Sequence, residues 1–162
     1  MTEIIEVQEL ISGLESYLEN GYVNADSYEN PDDDAIDYLG KLLLKDSGYC
    51  LDFCKKILEL SFSDGDAVKS TALSFLILSE SNWSDAFNYL LNTAEKLSIL
   101  ELKEAFFYFF CAKNELEPYP VPEGLFEKLI KRYQTLKNEF DANFYHLHET
   151  YDAFIKAYSL DF

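Results

Sequence analysis

The first forty residues contain no lysine and no arginine; the first base of the chain is Lys41. Other things are scarce too. There is one arginine, Arg132, and there are six glycines, no two adjacent. A phosphate cradle needs clustered glycines and usually a lysine, and neither a P-loop nor a dinucleotide fingerprint nor a nucleophile elbow occurs. With one arginine, chemistry on anionic substrates is poorly supplied. No run of about 18 apolar residues exists, so no membrane-spanning helix is expected. The opening MTEIIEVQELISGLESYLEN is acidic and periodic. It has neither the basic start nor the continuous apolar stretch of a secretory signal, which points to the cytoplasm. Three cysteines, Cys50, Cys54 and Cys111, are an odd number in a chain with a sizeable core. They read as buried thiols in a reducing compartment, not as a disulfide framework.

What the chain does have is acid and aromatic surface. Thirty Asp and Glu face thirteen Lys and Arg, a formal net charge of −17. Eleven of those acids fall in residues 1–40. Like charges at this density repel, which makes nucleic acid and anionic membranes poor partners and a cationic protein a good one. At 48% hydrophobic and 16% aromatic, the chain is too apolar for a disordered acidic tail. Its 162 residues suffice for a single domain, 1–162, with a real core.

Apolar residues recur with a helical period almost throughout. Ile4, Val7, Leu10, Ile11, Leu14, Tyr17 and Leu18 form one stripe, with Glu6, Glu9 and Glu15 outside it. Asn20-Gly21 stops this helix, because glycine adopts the left-handed conformation cheaply. Asn30-Pro31 starts the next, as a cap followed by proline at the first helical position. Ile36, Leu39, Leu42 and Leu43 carry it until Asp46-Ser47-Gly48. Further helices are expected near 48–61, 66–80, 83–97, 99–115, 122–138 and 142–158. They are separated by the turn Ser63-Asp64-Gly65-Asp66, a cap in Ser81-Asn82-Trp83-Ser84, the proline-rich 117–122, and Asp141 as the last cap. No alternating strand is evident. The fold class expected is all-α: about eight antiparallel helices, their hairpins stacked in a compact HEAT-like or bundle arrangement. Val68, Ala72, Phe75 and Leu76 correspond to Leu102, Phe106, Phe109 and Phe110 thirty-four residues on, a helix-pair repeat length. The run AFFYFFC, 105–111, is apolar all round and marks a central buried helix.

The candidate site is the acidic stretch: Asp26, Glu29, Asp32, Asp33, Asp34 and Asp37. As a calcium loop it fails. Counted from Asp32, the sixth position is Asp37, not glycine, and the twelfth is Leu43, not glutamate. Consecutive aspartates at a helix start favour the positive end of the helix dipole, each by about 0.3–1 kcal/mol. They also suit docking to a basic surface, and the two readings are compatible. Tyr22, Tyr28 and Tyr38 beside the acids, and Trp83 at a helix break, are either interface anchors or pins that hold loops to the core. His146 and His148 stand two apart, so their rings splay on a helix. Cys50 and Cys54 share a face but lack a second ligand pair. No metal, cofactor or catalytic residue is therefore assigned, and the chain is not expected to be an enzyme.

A small, acidic, all-helical chain of this charge distribution resembles the immunity proteins that bacteria make against their own nuclease toxins, in contact-dependent growth inhibition and related polymorphic toxin systems. The resemblance covers the whole chain as size, charge and helical architecture. It implies stoichiometric neutralisation of a basic toxin by covering its active site or substrate groove. The alternative class is a helical-repeat scaffold or adaptor. A nucleic-acid mimic would space its acids regularly over an elongated surface, whereas these crowd the first quarter of the chain.

Overall fold

A computed structural model describes residues 2–23, 30–60, 66–79, 81–113 and 121–158. The chain is all-α, as expected. Its helices are α1 (Thr2–Asn20), α2 (Pro31–Lys45), α3 (Ser47–Leu58), α4 (Asp66–Ile77), α5 (Trp83–Thr93), α6 (Ile99–Ala112), α7 (Leu125–Leu136), α8 (Phe140–Phe144) and α9 (Leu147–Tyr158). A short 3-10 turn, Ala94–Lys96, follows α5. No described helix is long and apolar enough to cross a membrane. The turn at 63–65 and the segment 117–120 lie outside the described residues. The chain divides into two compact units, Met1–Leu76 and Ile77–Phe162.

In the first unit, α1 packs on α2 and α3, and α2 on α3. The ends form where the sequence places them. Gly21, at φ +83°, turns the chain out of α1, and its N–H donates to Tyr17 O at 2.8 Å. Asn30 caps α2, its side chain accepting from Asp32 N at 2.8 Å, with Pro31 first in the helix. The break between α2 and α3 is one residue, Asp46. Its N–H closes α2 on Leu42 O, and its carboxylate opens α3 by accepting from Tyr49 N at 3.2 Å. Leu10, Leu14, Tyr17, Leu39, Leu42, Cys50, Cys54 and Ile57 are buried.

Gly13 of α1 lies directly against the Tyr38 ring of α2. A methyl group there would stand 2.7 Å from Cδ2 of the Tyr38 ring and 2.9 Å from Cγ1 of Val23. The Gly13→Ala variant should therefore lose about 1–3 kcal/mol to overpacking. With Tyr38→Ala in the background, the loss should shrink to what the remaining Val23 contact imposes, offset by alanine's helix preference over glycine of up to about 1 kcal/mol. A double-mutant cycle by urea denaturation checks this, and an equal loss in both backgrounds would remove Tyr38 as the cause.

In the second unit, α6 packs chiefly on α9, with α7 against α5, α6 and the 3-10 turn. The unit thus closes as a bundle instead of running on as a row of sequence-adjacent hairpins. Its core is aromatic. Phe106 meets Phe154 at 4.9 Å between ring centres, Phe109 meets Phe126 at 5.0 Å, and Tyr133 stacks on Tyr151 at 3.7 Å. A capping box starts α6: Ser98 accepts from Glu101 N at 3.1 Å, and Glu101 accepts from Ser98 N at 3.3 Å.

Several expectations are corrected here. The segment 142–158 is not one helix. His146, at φ +60°, separates α8 from α9, and Asp141 lies within α8 instead of capping the last helix. Asn82 precedes α5 without a side-chain cap bond; its amide donates to Ser79 Oγ at 3.0 Å. The run 105–111 is not buried all round. Phe107 is 55% and Phe110 38% exposed, and the Cys111 thiol beside them is exposed, not buried.

Candidate functional site

The acidic stretch separates into residues with different roles. Asp32, Asp33 and Asp34 occupy the first turn of α2, where the dipole favours them. Asp32 does more than sit at the helix end. Its Oδ1 accepts from the Tyr17 hydroxyl at 2.9 Å, tying the start of α2 to α1. Burial, and then the Asp32 carboxylate, push the Tyr17 phenol above the ordinary tyrosine range. Asp33 and Asp37 are exposed, four residues apart on one face of α2, and Asp34 is half-buried. Glu6, Glu9, Glu15 and Glu19 are exposed on α1.

The first two bases of the chain are already engaged. Lys41 pairs with Asp37 at 2.9 Å, and that hydrogen bond raises the lysine above its usual range. Lys45 pairs with Glu6 of α1 at 3.1 Å. Both pairs are exposed, so each contributes little to stability. Their effect on the field is larger, since neither lysine stands as a separate positive centre beside the acids.

The aromatic candidates divide as well. Tyr22 is 53% exposed beyond the end of α1. Tyr38 is half-buried with its ring over Gly13, and burial raises its phenol. Trp83 belongs to the second unit, at the start of α5, with its ring 5.4 Å from Phe87. Asp26, Tyr28 and Glu29 lie outside the described residues.

Neither metal-like pattern becomes a site. Among the described residues no group of three or more His, Cys, Asp or Glu is placed to hold a metal. His148 Nδ1 lies 2.5 Å from the Tyr133 hydroxyl, while exposed His146 faces Glu149 at 3.7 Å. Cys50 donates to Leu39 O at 3.3 Å inside the core. The adjoining Cys50 sulfur and burial hold the Cys54 thiol protonated, well above the cysteine range.

One further group of residues gathers along α7. Lys128, Lys131, Arg132 and Thr135 of α7, with Glu95 of the 3-10 turn, line a cavity of about 410 Å³. The lone arginine, read from the sequence as too little for an anion, stands there with two lysines. The signal was the spacing Lys128-x-x-Lys131-Arg132-x-x-Thr135, which puts all four on one helical face.

No family model matches the chain, and no curated protein matches it.

Proposed function

We propose that this chain is an immunity-type binder that neutralises a basic toxin, probing its partner with the acidic face of α1 and α2. The observation that carries the reading is the charge distribution: eleven acids and no base in residues 1–40, with the two bases that follow paired to acids. Such a field steers a cationic partner, and steered association reaches about 10⁸–10⁹ M⁻¹s⁻¹ at low salt. Asp33 and Asp37 would meet lysines or arginines that otherwise hold a phosphate backbone. Tyr22, exposed beside the face, supplies aromatic area that slows dissociation.

The test begins with the reading frame immediately upstream of the gene, where a toxin would be encoded with its antidote. Its C-terminal domain is expressed and titrated with the full chain. A Lys/Arg-rich domain that binds one to one is the expected result. Asp33→Lys with Asp37→Lys should weaken binding by at least about tenfold at moderate salt, with helicity intact. A neighbour of unrelated type, or a dissociation constant that the double reversal leaves unchanged, would defeat the reading.

A second reading, a protein-docking scaffold, is favoured by one observation. Phe140 and Phe144 stack at 6.1 Å on α8 while 77% and 62% exposed. Paired exposed aromatics of this kind suit an apolar contact more than a charged one.

A further inference from the structure

The cavity beside α7 carries charge opposite to that of the chain around it. We infer that it is a binding site for a small phosphate-bearing molecule, held by Lys128, Lys131 and Arg132.

Among the described residues three cations and one carboxylate line it, a positive formal balance in a chain of net −17. The global field does not cancel this. Charges separated by more than a Debye length, about 8 Å at physiological salt, are largely screened, so the near groups decide. Among the described residues none of the three cations forms an ion pair. Two of them are held by neutral oxygens instead. Arg132 Nε donates to Leu97 O at 2.9 Å, and Arg132 Nη1 reaches Thr135 Oγ1 at 3.4 Å. Lys128 Nζ reaches Leu91 O at 3.4 Å. These bonds fix the guanidinium plane without neutralising it. Of its five N–H groups, three remain for a ligand. Lys131 donates to no other described residue.

The donor set selects the ligand. Three cations within one turn of α7 complement a phosphate monoester, which carries about two negative charges, more fully than a single carboxylate with one. The volume falls within the range of small-molecule pockets, about 300–1,000 Å³, and exceeds what the phosphate alone would fill. The aliphatic stems of the lysines offer walls for an organic body, and Glu95 offers an acceptor for its hydroxyl.

Pyrophosphate is the probe, titrated calorimetrically into the full chain at 150 mM salt as an order-of-magnitude match to about physiological screening. Saturable one-to-one binding is expected. Lys131→Glu should weaken it by at least about tenfold. Lys131 makes no hydrogen bond or ion pair that the fold depends on, so this variant should keep its helicity. Lys137→Glu changes net charge equally, but Lys137 does not line the cavity, and binding should stay within about twofold of wild type. Absence of saturable binding, equal losses in the two variants, or preference for citrate over pyrophosphate would each overturn the assignment.

Discussion

Phe106→Ala should destabilise the second unit by about 3–5 kcal/mol, a large part of the roughly 5–15 kcal/mol that holds a typical domain folded. Phe106 is fully buried, and its ring contacts those of Tyr133, Tyr151 and Phe154 at 6.5, 5.5 and 4.9 Å. Truncation removes the transfer free energy of the ring and opens a void between α6, α7 and α9. The flanking aromatics are locked to one another, Tyr133 on Tyr151 and Phe154 on Phe126, so they have little freedom to collapse into it. The next residue provides the control. Phe107 is 55% exposed, and Phe107→Ala should stay within about 0.5 kcal/mol of wild type. Urea denaturation followed by circular dichroism measures both. Equal losses at the two positions would mean that α6 is turned differently about its axis.

Glu101→Ala should cost about 3 kcal/mol, through polar groups instead of volume. Glu101 is 3% exposed and has no lysine or arginine beside it among the described residues. Its carboxylate is satisfied by Ser98 N, by Ser98 Oγ at 3.0 Å, and by the Tyr89 hydroxyl from α5. Alanine removes the glutamate half of the capping box and takes the carboxylate from both hydroxyls, while Ser98 Oγ still accepts from the backbone N–H of residue 101. Glu101→Gln keeps the shape and an acceptor oxygen, so it should lose markedly less. A midpoint shift in Glu101→Ala equivalent to less than about 1 kcal/mol would show that water satisfies these groups after truncation.

The readable parts of this fold were those decided locally. Gly21 and Asn30-Pro31 define helix ends through their own backbone chemistry, and both ends form there. The start of α6 is of the same local kind, with Ser98 and Glu101 closing a capping box. The His146 break is a matter of phase. Buried Ala142 and Leu147 stand five residues apart, about 140° out of register on a continuous helix, and the extra residue is absorbed at positive φ. Other features depend on which helix lies opposite. Nothing in AFFYFFC says that α9 covers Phe106 and Phe109 while Phe107 and Phe110 stay open. Nothing in the acidic stretch says that Asp32 is claimed by Tyr17 while Asp33 faces solvent. The acid density was legible, but the division of labour within it was not. The basic cavity was hidden for a related reason. A count of arginines gives their number, not their company.

Trp83 gives the two units separate optical signatures. It is the only indole in the chain, it belongs to the unit Ile77–Phe162, and it lies half-buried against Phe87. Its emission will shift to the red when that unit opens. Amide dichroism sums over both, because helices make up each of them. Coincident curves from the two signals would mark a single cooperative melt. An indole transition that comes early or late would order the two openings in time and temperature, with no dye attached and no residue replaced.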